Sequence, residues 1–363
     1  GVFVSWLELR DFRCYESLEF SPEPGVNVLV GDNGMGKTSV LEALGYLGMM
    51  KSFRGVPDEA LVRDDAPSAV VRGGVGGGAT ETSVECELPI EGRRTVLVNG
   101  KRPQRMRDVL LSVPVVAFMP DDLDVIKRGP AMRREYLDDL ASRLWPQAGA
   151  DLTEFERTLR QRNALLRQEG RHTDEVTLDV WDERLAVAAA LVLGHRRAVA
   201  TALQPHLQEA YSSVGGAGDL RWAYASTWGS DEAFDHGTLV EAMAAALLGS
   251  RSRDMDVRTT TVGPHRDDPG LLLDGRSTRT RTSQGEQRTV AIAMRVGAHR
   301  VIEEMRDTVP ILLLDDVFSE LDHDRASRVL SLMPAGQVFV TTAREDEVPI
   351  QGRRWSVHDG KVT

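Results

Sequence analysis

The run from Gly31 through Asp32, Asn33, Gly34, Met35, Gly36 and Lys37 to Thr38 has the form G-x-x-x-x-G-K-[ST]. It follows a short apolar segment, VNVLV, and opens a stretch with helical spacing, where a phosphate-binding loop must sit. Glycines there let successive backbone N–H groups turn inward around phosphate oxygens, which a Cβ would obstruct. A helix N-terminus adds unsatisfied donors and a favourable dipole. Lys37 is expected to reach the β- and γ-phosphates of a nucleotide, and the Thr38 hydroxyl to ligate Mg²⁺, with Ser39 closing the set. A random chain of this length meets the pattern roughly one time in a hundred, before its placement between strand and helix is counted.

A second candidate is the acidic pair that ends ILLLDD, Ile311 to Asp316. An apolar strand in the middle of a sheet is expected to deliver Asp315 beside the phosphate loop, where it can hold Mg²⁺ through water together with Thr38. Asp316 is then placed to orient or deprotonate an attacking water. Standing alone, two acids after a strand are as well explained as a solvated loop. SQGEQR, Ser283 to Arg288, is a third candidate. Ser283 and Glu286 make a capping box for the helix that follows, but a capping box explains neither Gly285 nor the flanking Gln284 and Gln287.

The elements that must carry these residues can be read from periodicity. VSWLELRDF alternates, VVRGGV and ETSVECELPI flank the glycine-rich loop Gly73–Thr80, and RRTVLVNGKR reads as a hairpin turning at Asn99–Gly100. VPVVAFMP reads as a buried strand. From about Pro130 to Ser250 apolar residues recur at helical spacing without sustained heptads, with one short strand, GDLRWAYAS, among them. Strand and helix then alternate again: GLLLDG, a helix from about Gln284 to Arg306, ILLLDD, QVFVTT and RRWSVHDGKV. The expected organisation is α/β, with residues 1–128 and 256–363 forming one domain and 129–255 a helical insertion.

The chain has 363 residues with 44 basic against 55 acidic side chains, a net charge of −11. That balance disfavours a protein that is basic all over, though a local patch can still bind nucleic acid. Five lysines, Lys37, Lys51, Lys101, Lys127 and Lys361, leave arginine to supply the rest. Cys14 and Cys86 form no metal or disulfide pattern. The N-terminus lacks a signal-peptide pattern, and apolar runs such as Val109–Phe118 fall far below the ~20 residues of a membrane span. The expectation is a reduced, cytoplasmic protein.

In this order, a phosphate loop, an SGG-like signature before a helix, an acidic pair and then SELD (Ser319 to Asp322) resemble the ATP-binding-cassette ATPases. The closer resemblance is to their SMC-like branch and, within it, to the RecF family of bacterial recombination mediators. LRDFRCYE, MPDDLDVIKRGPAMRREYLD, TVGPHRDD, TSQGEQRT and LLLDDVFSELD carry that likeness across nearly the whole chain. It implies an ABC-type ATPase head, with a P-loop α/β core and an antiparallel β subdomain, plus the inserted helical domain. It implies ATP and Mg²⁺ as cofactors, and a homodimer in which Ser283, Gln284, Gly285 and Gln287 of one copy meet the γ-phosphate held by the other. Arg13 matches a position that helps to hold phosphates, and Asp322 the D-loop aspartate near the dimer axis. DNA, as duplex, gap or junction, and the proteins RecO, RecR and RecA are the implied partners in gap repair.

Departures from the wider superfamily are also visible. Asp316 replaces the usual glutamate, no switch histidine follows QVFVTT, FMPDD stands at the likely Gln-loop, and Glu286 stands where glutamine is usual. Together they imply slow hydrolysis that acts as a timer. Candidate DNA contacts are Arg93, Arg94, Lys101, Arg102, Arg105 and Arg107; composition alone reads this stretch as a solvated face, and the resemblance reverses that reading. Arg251–Arg300 is the other arginine-rich stretch, with ten arginines and six acids. His265 is expected to be a hydrogen-bonded structural residue, and Trp145, Trp181 and Trp222 to pack in the core. Two rival readings are the nucleotide-binding subunit of a membrane transporter and a P-loop kinase with a helical lid.

Overall fold

The alternation in FVSWLELRDF builds the first strand, β1 (Phe3–Phe12), whose Leu7, Leu9 and Phe12 point into the core. In this computed structural model the described residues are 2–76, 81–119, 124–229, 235–320, 323–332, 336–348 and 351–363. After β1 come β2 (Tyr15–Phe20), β3 (Val26–Val30), helix α1 (Lys37–Met49), β4 (Ser68–Gly76), β5 (Glu81–Pro89) and β6 (Thr95–Val98). They are followed by α2 (Met106–Ser112) and β7 (Val115–Phe118). Helices α3 (Asp124–Lys127), α4 (Pro130–Leu144), α5 (Pro146–Glu169) and α6 (Glu175–Ser213) precede β8 (Leu220–Ala225), α7 (His236–Val257), β9 (Asp268–Leu273) and β10 (Arg276–Ser277). The chain closes with α8 (Gln284–Arg306), β11 (Ile311–Asp315), α9 (His323–Ser331), β12 (Val338–Thr342), β13 (Arg353–His358) and β14 (Lys361–Val362).

Two compact units result. The first takes its described residues from 1–122, 209–216 and 292–363, and the second from 123–208 and 217–291. The second unit is therefore wider than the span 129–255, since it includes β9, β10 and the first turns of α8.

In the first unit, an antiparallel sheet is ordered β2-β1-β4-β5-β6, and a second sheet is ordered β14-β13-β3-β12-β11-β7. All pairings in the second sheet are parallel except that of β14. Helix α1 shares one core with both sheets: Leu41, Leu44, Tyr46 and Leu47 cluster with Leu7 and Leu9 of β1, Leu29 of β3, Leu313 of β11 and Phe339 of β12. The Asp315 strand is not in the middle of its sheet, as the sequence suggested. β13 and β14 extend the sheet beyond β3, so β11 lies one strand from the edge, and β12 separates it from β3. All five residues of β11 are still buried.

One side chain joins the two sheets. Gln337, 2% exposed and just ahead of β12, accepts from the Val4 N–H at 2.7 Å and donates to the carbonyls of Val4 and Glu23, both at 2.9 Å. A bulge between Val4 and Trp6 interrupts the β1–β4 ladder there. The predicted turn also forms: Asn99 and Gly100 adopt φ of 48° and 73°, and Val98 and Lys101 exchange both backbone hydrogen bonds. Lys101 contributes only this bridge, so the ladder proper is β5 with β6.

The second unit packs Phe155 of α5, Leu185, Ala189 and Leu193 of α6, and Leu239, Met243 and Leu247 of α7 into one core. Buried arginines brace it. Arg162, with no exposed surface, reaches Asp182 at 2.7 Å and Asp254 at 2.8 Å. Among the described residues α6 alone is long and apolar enough, by length and composition, to cross a membrane, but 56% of its apolar window is buried inside the protein. Such packing is that of a core helix.

In the first unit, α8 is tied to the entry of β11 by His299, whose Nε2 lies 3.3 Å from the Pro310 carbonyl. Burial pushes the His299 imidazole down to about 4 from its ordinary 6.5. A base whose folded pKa is depressed takes up protons more readily when unfolded, so its contribution to stability is complete above pH 6.5 and is lost as pH falls towards 4. Denaturant unfolding should therefore weaken across that window by up to about 3 kcal/mol for this residue. His299→Gln should flatten the slope; a titration curve parallel to that of the parent chain would contradict the assignment.

Candidate nucleotide-binding site

The site begins where β3 ends. Just beyond Val30 only glycine fits, because a side chain at position 31 would strike the Val357 carbonyl of β13. Gly34 and Gly36 take φ of 84° and 100°, left-handed values that bend the loop back on itself. A Cβ on Gly36 would sit 2.7 Å from Cys14 Sγ and Tyr15 Oη, and the Tyr15 hydroxyl donates to the Gly36 carbonyl at 3.1 Å. Lys37 and Thr38 then start α1. The Lys37 ammonium, 7% exposed, donates to the carbonyls of Gly31 and Asp32. Burial lowers its pKa, against the opposing pull of Asp316, Asp315 and Asp32.

The acidic pair meets this loop. The Thr38 hydroxyl lies 2.9 and 3.1 Å from the two Asp315 carboxylate oxygens. On the other side Thr341 of β12, paired in register with Asp315, donates to Oδ1 at 2.7 Å. The same Thr341 oxygen accepts the Asp316 backbone N–H at 2.9 Å. Desolvation raises the Asp315 pKa, while the hydrogen bonds from Thr341 and Thr38 pull it back. Asp316 adopts φ 49°, a left-handed turn that ends the strand at once and leaves its side chain partly exposed. Hydroxyl and carboxylate oxygens in contact are the hard donors a magnesium ion prefers, so the residues present fit that ion.

These groups line one open cleft of about 770 Å³ with Arg13, Cys14, Asn33, Gly34, Gly36, Ser39, Arg54, Arg63, Asp64 and Asp65. Gly31, Asp32 and Met35 belong to the loop without lining the cleft. Arg13 stands at a left-handed position, φ 53°, and makes two hydrogen bonds to Glu42 at 2.8 and 3.0 Å, with a third to the Ala60 carbonyl at 3.0 Å. Sequence reasoning missed Glu42, a carboxylate on α1 with no exposed surface that also accepts from Ser52. It missed Arg54, Arg63 and Thr341 as well. The position of Glu42, five residues after Lys37 on a helix otherwise apolar at that depth, was the available signal.

The signature lies in the second unit, at the start of α8. Its capping box forms as expected: the Ser283 N–H donates to Glu286 at 2.7 Å, and the Glu286 N–H to Ser283 Oγ at 3.2 Å. Ser283 and Gln284 are exposed. Gln287 is not presented with them; it is 7% exposed and donates inward to the Thr278 carbonyl at 3.3 Å. A side chain on Gly285 would meet nothing closer than Ser283 Oγ at 4.0 Å, so neither packing nor dihedral angle within the chain calls for glycine there. Asp322 lies outside the described residues, as do Asp121 and Asp122 of FMPDD.

Of the arginines expected to touch DNA, Arg94 is otherwise engaged: its guanidinium donates to the Tyr46 hydroxyl at 2.9 Å and to the Met50 carbonyl, close to Asp58. Arg93, Lys101, Arg102 and Arg105 are exposed, and the Arg107 side chain lies outside what is described. His265 is structural, its Nε2 3.1 Å from the Thr260 carbonyl and its pKa pushed down to about 4 by burial. Trp145, Trp181 and Trp222 are half-buried, with Trp145 stacked on His195 and Trp222 on Tyr136.

Known proteins resemble this arrangement closely. The RecF/RecN/SMC N-terminal domain family matches residues 3–351. The DNA replication and repair protein RecF of Acidothermus cellulolyticus is 39% identical over 370 residues, covering 99% of either chain. That of Frankia alni is 40% identical over 375 residues, with the same coverage. A solved structure of the recombination mediator protein RecF with ATP, in the RecFOR pathway, superposes with a TM-score of 0.94 at 30% identity, over 100% of this chain and 97% of that one. A solved Smc head bound to the C-winged helix domain of ScpA, 16% identical with a TM-score of 0.56, shares the fold; with the RecF structure and the family model, this gives the chain the fold of an ABC-type head. Identity at this level along nearly complete chains, with one family matched almost from end to end, means that the chain belongs to the RecF family of DNA replication and repair proteins.

Proposed function

We propose that this protein is an ATP-gated DNA clamp: ATP binding drives two copies together on duplex or gapped DNA, and slow hydrolysis releases them. The observation that carries this reading is the cleft in which Lys37, Thr38, Asp315 and Asp316 converge at the end of one parallel sheet. Lys37 would hold the β- and γ-phosphates, the loop N–H groups would wrap them, and Arg13, indexed by Glu42, would border the triphosphate. Thr38 and Asp315 would hold Mg²⁺, which supplies neutralising charge to the phosphates when bound. Asp316 would orient the attacking water. With one methylene fewer than glutamate it reaches less far, and this supports a slow, timing ATPase.

The second half of the site would come from another copy. Ser283, Gln284 and Gly285 offer a hydroxyl, a side-chain amide and backbone N–H groups at a helix N-terminus. The glycine leaves these backbone N–H groups unobstructed by a side chain. A phosphate approaching from outside would account for it where no internal contact does. Two shared nucleotides would then favour the dimer by mass action. As part of this reading the protein acts in the cytoplasm in recombinational gap repair, with RecO and RecR, helping to place RecA on single-stranded DNA. Its ATP hydrolysis would be weak and stimulated by DNA. The inserted helical portion, and a strand QVFVTT that no histidine directly follows, support this reading over a transporter subunit.

Lys37→Met should abolish ATP-dependent dimerisation and duplex binding together; dimers persisting at high ATP in light scattering would refute the coupling. Ser283→Arg should still bind ATP but lose the closed pair, so its crosslinked-dimer yield with ATP should fall to the nucleotide-free background. A yield equal to that of the parent chain would remove the trans contact.

A further inference from the structure

Several arginines of the second unit face carboxylates: Arg133 meets Asp268, Arg162 meets Asp182 and Asp254, Arg196 meets Asp138, and Arg251 meets Asp179 and Asp182. Arg276, Arg279 and Arg281 differ. All three are exposed, and among the described residues none is paired with an acid. In a chain of net charge −11, three uncompensated guanidinium groups within six residues form a local surface of opposite sign.

Their backbone is held from the inside. Arg276 pairs with Leu273 across the turn Asp274–Gly275, whose φ values are 50° and 75°. Thr278, 3% exposed, gives both its N–H and its hydroxyl to the Leu271 carbonyl, at 3.0 and 3.1 Å. The Arg281 N–H donates to Ser277 at 3.0 Å, and Gln287 braces the Thr278 carbonyl. With the intervening backbone fixed, the arginines face solvent from a segment that need not order itself on binding. The patch also extends beyond this segment. A side chain on Gly129 would come within 3.8 Å of Arg279 Nη1, and Gly129 directly follows the exposed Lys127 and Arg128.

We propose that Arg276, Arg279 and Arg281, continued by Lys127, form a contact surface for the phosphates of a DNA backbone. This rests on the DNA-binding reading above and names a surface for it separate from the 93–107 stretch. Guanidinium forks suit paired phosphate oxygens, and without base-reading elements the contact would be indifferent to sequence.

The test is the salt dependence of duplex binding, with ATP, for the full chain and for the triple variant R276A/R279A/R281A. Each phosphate contact contributes about 0.9 to the slope of log affinity against log salt, so the triple variant should be shallower by about two to three. ATP affinity should be unchanged, which also shows that the variant is folded. The triple lysine variant, R276K/R279K/R281K, should keep the parent slope. An unchanged slope in the alanine variant would overturn the proposal. So would loss of its ATP-dependent dimer with the slope intact, which would make these arginines a protein–protein contact. If the parent chain itself binds no duplex, the DNA-clamp reading fails and this surface fails with it; failure of the alanine variant alone to differ removes only this surface.

Discussion

A single buried carboxylate, Asp315, held between two hydroxyls, sets the geometry on which the nucleotide cleft depends. Thr38 approaches from the first turn of α1, and Thr341 from the end of β12. A carboxylate taken out of water is costly unless its oxygens are satisfied, and here the donors come from two different elements. The phosphate loop, the acidic strand and the strand between them are thereby fixed to one another at the point where chemistry would occur. β12 is the element that makes this possible: by separating β3 from β11 it brings Thr341 into register with Asp315 and within reach of the Asp316 N–H. The Thr341 hydroxyl thus has its hydrogen bonds already committed, one given to Asp315 and one received from the Asp316 N–H.

The second unit follows a different principle, with buried guanidinium groups set against buried acids and backbone carbonyls. The TVGPHRDD segment is clasped from several sides: Arg196 donates to the Pro264 carbonyl, Arg134 to the Asp267 carbonyl, and Arg133 to both Asp268 and the Pro269 carbonyl. Arg133 and Arg134 come from the other family-like stretch, MPDDLDVIKRGPAMRREYLD. The two most distinctive sequence segments outside the ATPase motifs therefore owe their character to each other. Asp267, pushed up to about 6 by burial, and His265, pushed down to about 4, are interior groups of this clasp.

Motifs with local causes were legible in the sequence. The phosphate loop, the capping box and the Asn99–Gly100 turn each follow from a few adjacent residues, and α8 begins and ends as expected from its cap and its apolar spacing. Features that depend on distant partners were not. The sheet position of β11 depends on β13 and β14 extending the far side of β3, which no property of ILLLDD encodes. Arg94 was read as a free cation because its partners, Tyr46, Met50 and Asp58, lie 36 to 48 residues away. Gln287 stands among exposed neighbours in the sequence, yet it is buried and reaches inward to the Thr278 carbonyl, a partner nine residues away. Glu42 and Thr341 acquire a role only once α1 and β12 are packed.

Gln337 has a mechanical consequence. Its amide treats the bulged backbone of Val4 as a neighbouring strand would, giving and receiving one hydrogen bond, and holds the Glu23 carbonyl as well. Sliding the N-terminal sheet past the parallel one would strand all of these polar groups away from water. The two layers are stitched at the root of β12, whose far tip carries Thr341. A displacement imposed at that tip would meet its first resistance at these three hydrogen bonds, which would have to break before one layer could slip over the other.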